Sequence, residues 1–314
     1  MSPSQKPTVL VTGSSSGIGR ACASKLLAAG WKVVAAVRKQ VDAERLKLQG
    51  NSDLFPVILD VENRESISAA ASEVQSVLSG GLDGLVNVAG IGMTRPVEYI
   101  EWHELQQMFG VNVFGQIAVT QAFLPFIRRA RGRIVNISSV GAHIAIPFGG
   151  LLNSTKAAFG LISDALRLEL RPFGIRVSTV EPGSIKTPAV DKTLGDVEAV
   201  IRGLPAEGQS RYGSMLREFN KRAFRRETNG SHPDVVARAV HHALTAQRPR
   251  TRYVVGKDAK LLATLPKVVP DIFLDPLRLR IFGLPTKFNA ASSSEEIGSI
   301  QAQPIRPRAN QEFF

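Results

Sequence analysis

Three glycines, Gly13, Gly17 and Gly19, punctuate the stretch Thr12-Gly13-Ser14-Ser15-Ser16-Gly17-Ile18-Gly19. A β-branched run, residues 8–12, precedes it and a helical pattern follows. Glycines there permit a tight turn and let backbone approach a pyrophosphate, while the helix N-terminus supplies N–H donors and positive potential. A plain Gly/Ser connection is the bland alternative, and the placement after a first strand favours a dinucleotide. The second strand ends Val37-Arg38-Lys39 where a carboxylate would select NAD. An arginine there accommodates the 2′-phosphate of NADP, with Ser14 in the facing loop. NADP(H) is therefore the expected cofactor, although Arg38 and Lys39 could equally be solvated charges.

The elements that must position such a site alternate. Residues 8–12, 32–37, 55–61, 84–88, 133–138 and 175–180 read as buried strands. Residues 17–29, 64–78, 102–129 and 151–171 carry apolar residues at helical spacing, with Pro125 expected to bend or end the third. This is an α/β pattern, a doubly wound Rossmann-type parallel sheet with helices on both faces. One domain over residues 1–259 is expected, with a substrate-covering lobe at about 184–230. Within it, residues 233–246 read as a helix and 252–255 as a last strand. Residues 260–289 form an apolar extension broken by prolines, suited to lie on the body or on a membrane surface, and 290–314 read as a flexible tail.

Composition narrows the classes. The chain has 314 residues, 44% hydrophobic and 21% charged, which excludes a largely disordered or collagen-like protein. No uninterrupted apolar run reaches the ~18 residues of a membrane span. A net charge of +12 raises nucleic acid as a partner, yet the excess is spread along the chain and aromatic residues make up only 6%. Without a stacking platform, no nucleic-acid binding is expected. Arg217, Lys221 and Arg225 recur at helical spacing beside Arg222 and Arg226, a stripe for an acidic substrate or, more plainly, a solvated face. The single cysteine, Cys22, excludes an internal disulfide and makes a cytoplasmic location the expectation. Adjacent His241 and His242 have no acidic or cysteine partner at ligand spacing, so no metal site is expected.

Further motifs fall in order. Asp60-Val61 follow the third strand, Asn87-Val88-Ala89-Gly90 the fourth, Ile137-Ser138-Ser139 the fifth, and Glu181-Pro182-Gly183 the sixth. Asn112 lies in the long helix and Lys156 in the next. With the Gly13-xxx-Gly17-x-Gly19 spacing, residues 8–255 resemble the short-chain dehydrogenase/reductase superfamily, in its hydroxysteroid and retinol dehydrogenase branch. The resemblance implies cofactor contacts from Gly13, Ser14, Ser16, Gly17, Ile18, Gly19, Arg38, Asp60, Val61, Asn87, Ala89, Gly90 and Lys156. It also implies that Pro182, Gly183, Ile185 and Thr187 meet the nicotinamide end. Asn112, Ser139 and Lys156 match catalytic positions. Relatives pair through the two long helices, which implies a homodimer or homotetramer.

One departure stands out. That family places a Tyr four residues before the Lys to exchange a proton with the carbonyl oxygen. Here the position is Leu152, and of the three tyrosines none lies between Tyr99 and Tyr212. General acid–base catalysis is worth ~10²–10⁴ in rate, so the loss matters. His143, four residues past Ser139, is the candidate substitute, with an unremarkable loop histidine as the alternative. Tyr212 falls in the lobe and joins Leu152 as a candidate pocket residue; Ser154 ranks below both. Three readings remain open. The first is an oxidoreductase on a small hydrophobic alcohol or ketone. The second is a non-redox isomerase, dehydratase or cyclase, and the third a silent binding protein on the same scaffold.

Overall fold

The computed structural model describes residues 6–78 and 80–286. Its strands are β1 (Thr8–Val11), β2 (Lys32–Val37), β3 (Leu54–Ile58), β4 (Gly84–Asn87), β5 (Arg133–Ile137), β6 (Arg176–Pro182) and β7 (Arg252–Val255). They form one parallel sheet in the order β3-β2-β1-β4-β5-β6-β7. Strand order reverses at β1 and β4, the place where doubly wound sheets hold ligands beyond their carboxyl ends. The helices are α1 (Gly17–Ala28), α2 (Gln40–Lys47), α3 (Arg64–Val77), α4 (Trp102–Phe109), α5 (Gly115–Ala130) and α6 (Gly150–Leu170). After β6 come α7 (Ala189–Leu194), α8 (Val197–Arg202), α9 (Ala206–Thr228) and α10 (Asp234–Thr245); α11 (Ala259–Val268) and α12 (Asp271–Phe282) follow β7.

The strands are apolar throughout because both faces are covered. In β1, Val9 and Val11 pack into a core with α1 and α10, whereas Leu10 faces the core shared with α3 and α5. Val9, Leu10, Leu85, Phe123 and Ile134 have no exposed surface. Each such side chain stabilises the fold by ~1.5–3 kcal/mol. By length and composition the helical run Trp102–Ala130 could cross a membrane. Its Val119, Phe123 and Ile127 are instead fully buried against the sheet.

That run differs from the single helix expected at 102–129. It is interrupted at Gly110–Phe114 by a π-helical turn, and Pro125 does not end it, since α5 runs on to Ala130. Such turns insert a residue into the helix and re-aim a side chain, here that of Asn112. Helix α2 was not anticipated, being short and mostly polar. The lobe is also more ordered than its loose pattern indicated, with α9 a single helix of 23 residues. Its two ends meet at a neck, where Ile185 and Ser231 bridge in parallel and Lys186 N–H donates to the Ser231 carbonyl at 3.0 Å.

An aromatic series runs through the lobe, Tyr99 against Tyr212, Tyr212 against Phe148, Phe148 against Phe219, and Phe219 against Phe282 of α12. Phe148 adopts φ 60, a conformation that costs a non-glycine residue ~1–2 kcal/mol and is held here by this packing. The basic stripe of α9 is largely consumed within the fold. Arg217 pairs with Glu198 at 2.7 Å, Arg222 donates to the Arg280 carbonyl at 2.7 Å, and Arg226 pairs with Asp258 at 2.8 Å. The chain through Leu284 forms one compact unit, so residues 260–284 belong to the body. The tail expected at 290–314 lies outside the described residues.

Candidate active site

The glycine loop joins β1 to α1. Gly13 and Gly17 take φ 66 and φ 54, the left-handed region. A Cβ on Gly19 would run into the Gly13 carbonyl, and one on Gly13 would lie 3.1 Å from Ala89 Cα. Only glycine lets the turn close this tightly on the end of β4. Ser16 occupies the N-cap of α1 without a side-chain capping bond, which leaves first-turn N–H groups to an external acceptor. The cradle fits a pyrophosphate.

At the adenine end, Arg38 is exposed beyond β2 and lies close enough to Glu62 to act on its charge. Burial and Asp60 raise the Glu62 carboxyl above its ordinary range, and Arg38 opposes them. Asp60 accepts from the Glu62 N–H at 3.1 Å, and Val61 is buried behind it. The Ser14 side chain is turned into the fold. It is 1% exposed, its hydroxyl donates to the Val11 carbonyl at 2.7 Å, and its N–H donates to Ala36. The loop instead meets Arg45 of α2, whose guanidinium donates to the Ser15 carbonyl at 3.3 Å. Nothing in the local sequence marks Arg45, because its position depends on how α2 packs.

Deeper in, the Thr12 hydroxyl accepts from Val88 N–H and Ala89 N–H at 2.8 and 3.0 Å, stitching the glycine loop to the end of β4. Asn87 is turned inward. Its amide donates to Asn136 and Thr120 in a buried polar chain, so its side chain serves the sheet rather than a cofactor. Ala89 is fixed through its carbonyl by Gln116 at 2.8 Å. Asn112, on the π turn, holds both backbone groups of Ile91 at 2.9 and 3.0 Å and donates to Thr155 at 3.1 Å. A Cβ placed on Gly90 would lie 3.1 Å from Asn112 Oδ1 and 3.6 Å from Lys156 Nζ, so these groups converge on one small space. Among the described residues Lys156 Nζ has a hydrogen-bond partner only at 3.4 Å, the Ile137 carbonyl, and burial pushes its pKa down to about 8.

Ser139 follows the end of β5, two residues past Ile137. Its Oγ accepts from Gly141 N–H at 3.0 Å and reaches the Pro182 carbonyl only at 3.5 Å, so its proton is weakly held. Leu152 sits one turn before Lys156 on α6, partly buried, with no group that can donate. Ser154 is exposed and bonds to Leu151. His143 is committed elsewhere, its Nε2 lying 3.0 Å from the fully buried Glu181. On the lobe side, Thr187 stands against Gly17 and Thr193 against Gly92. Ile185 is core. Tyr212 packs in the aromatic series, its hydroxyl pushed up by burial and by its bond to Glu98. An apolar cavity lies between Ile144, Leu265, Leu274 and Ile281, with Arg226 and Arg278 at its wall.

Residues 7–197 match the short chain dehydrogenase family. The chain belongs to that family. Its human relative retinol dehydrogenase 5 is 39% identical, over 87% of this chain and 88% of its own length. The rat 17-beta-hydroxysteroid dehydrogenase type 6 is 38% identical, over 85% and 87%. A short-chain dehydrogenase structure from Streptomyces avermitilis superposes with a TM-score of 0.67 at 28% identity, covering 90% of this chain and all of that one. A serine dehydrogenase complexed with NADP+ gives 0.65 at 26% identity, covering 79% and 94%.

For a short-chain dehydrogenase the arrangement is coherent. The glycine cradle suits a diphosphate, and Lys156 and Asn112 converge beside Gly90 at the end of β4. Thr12, Gln116 and Arg45 also hold this region together and were missed by sequence reasoning. The first two could have been found from their position at the strand end and one turn past Asn112.

Proposed function

We propose that this short-chain dehydrogenase is an NADP(H)-dependent oxidoreductase for a hydrophobic alcohol or ketone, working without the family's usual tyrosine. Bound NADPH would supply the hydride. Ser139 carries the reading: its hydroxyl is oriented by the Gly141 N–H but holds only a long contact to Pro182, so it can turn its proton to a substrate oxygen. Lys156 would hold the ribose, and Arg38 with Arg45 would take the 2′-phosphate. The retinoid and steroid names of the relatives, together with Leu152 and the aromatic lobe, support an apolar substrate.

Exposed Ile272 and Phe273 of α12 support contact with a membrane surface, and exposed Phe114, Leu161 and Leu168 along the long helices support a homodimer or tetramer. The deciding experiment is NADPH oxidation with a panel of hydrophobic ketones. Leu152 also favours a second reading, a non-redox reaction in an apolar pocket. Substrate conversion with no net change in cofactor absorbance would select it.

A further inference from the structure

Asp258 stands at the N-cap of α11 yet makes no capping bond to its own helix. An aspartate there ordinarily accepts from the first helical N–H groups. Asp258 is turned instead toward the segment that leaves β6. Its Oδ1 accepts from Ser184 N–H at 3.1 Å, and its Oδ2 lies 2.9 Å from the Ser184 hydroxyl. Arg226 of α9 holds the same Oδ2 at 2.8 Å. Burial alone would raise the Asp258 carboxyl; Arg226 and Ser184 more than offset it and keep the group below its ordinary value. The neighbouring Glu227, also 2.9 Å from the Ser184 hydroxyl, is raised by burial.

Close packing fixes the same point. A Cβ on Gly183 would overlap Asp258 Oδ1 and come 3.1 Å from Ala259 Cβ. Gly183 N–H donates to the Val255 carbonyl at 2.9 Å. One residue earlier, the Pro182 carbonyl is the group that faces Ser139 Oγ at 3.5 Å. The carboxylate therefore sets where the Pro182-Gly183-Ser184 backbone lies relative to the reaction centre.

We infer that Asp258 is a positioning residue for the nicotinamide end of the cofactor site, acting through Ser184 and Gly183 from the start of the C-terminal extension. This rests on the cofactor reading above. The adenine end is built from β1, β2 and α2, which Asp258 does not touch, so the two ends of the dinucleotide should respond differently to its loss.

Calorimetric titration of the full chain tests this, with NADPH as the whole ligand and adenosine 2′,5′-bisphosphate as the adenine-end probe. Asp258→Ala should weaken NADPH by about tenfold, the scale of a lost charge-assisted bond, and leave the bisphosphate within about twofold. Asp258→Asn, whose amide oxygen can still accept from Ser184 N–H, should recover most of the NADPH affinity. Equal weakening of both ligands, or unchanged NADPH binding, overturns the inference. Should Asp258→Ala fail to fold, Ser184→Ala decides: about threefold weaker NADPH with unchanged bisphosphate supports it, and no change overturns it. A wild-type chain that binds neither NADPH nor NADH overturns the cofactor reading itself, whereas wild-type binding with an indifferent Asp258→Ala overturns only the positioning role.

Discussion

His143 Nε2 lies 3.0 Å from a carboxylate oxygen of Glu181, a side chain with no exposed surface. Glu181 also meets Arg252, which in turn holds Asp164 of α6 at 2.6 Å. This chain of polar contacts ties the segment after Ser139 to β6, β7 and α6. Removing one partner leaves a buried carboxylate short of a donor. His143→Ala is expected to lower unfolding stability by about 1–3 kcal/mol in urea titration. An unchanged midpoint would show that the pair is not formed in solution.

Leu152 sets the second expectation. Leu152→Tyr restores a hydroxyl one turn before Lys156 and should raise reduction of a hydrophobic ketone by ~10²-fold or more, the worth of a positioned general acid. A variant that binds NADPH normally and reduces nothing would favour the non-redox reading.

Cofactor choice is the third. Arg38→Asp should reverse the preference from NADPH to NADH in calorimetric titration. Arg45→Ala should weaken NADPH about tenfold while largely sparing NADH, because only NADPH carries the 2′-phosphate assigned to its guanidinium. Tighter binding of NADH by the wild type would refute both.

Lys156 gives a pH signature. Burial lowers its pKa from 10.5 to about 8, so between those values the unfolded chain carries the proton and the folded chain does not. Stability of the cofactor-free protein should therefore rise with pH across that window, the charge being fully penalised below pH 8. Lys156→Met should be more stable than wild type at pH 7, with the advantage shrinking toward pH 10. Denaturant midpoints at the two pH values check it, and a constant difference would contradict a buried charge.

How much of this was legible depends on what each residue needs. Val9, Leu10 and Val11 announce a strand because a sheet covered on both faces wants apolar side chains in every position. The glycines mark their turn because Gly13 combines φ 66 with a close approach to Ala89 that leaves no room for a side chain. By contrast, α9 hides its buried Leu216, Phe219 and Ala223 among charges, most of which find intramolecular partners. Ser14 shows why hydroxyls mislead: nothing in the sequence says that the Val11 carbonyl will claim its proton. Asp258 and Ser184 lie 74 positions apart, and only the β6–β7 pairing brings them together.

The C-terminal helices supply the last expectation. Ile272 and Phe273 are 76% and 69% exposed on α12. Replacing both with Glu should reduce co-sedimentation with anionic phospholipid vesicles several-fold while leaving NADPH affinity in place. Equal recovery of both proteins in the pellet would remove the membrane surface from consideration.

The bridge between Ile185 and Ser231 gives the lobe a closed neck. With the ends already joined, the length of chain between them bears weakly on the sheet, each doubling of a flexible loop costing only ~0.6 kcal/mol in closure entropy. Residues 188–225, between Thr187 at the glycine loop and Arg226 at Asp258, are thus a cassette that evolution, or a protein engineer, can exchange for one of another size or shape. The sheet and its glycine loop can stay as they are while descendants try new substrates.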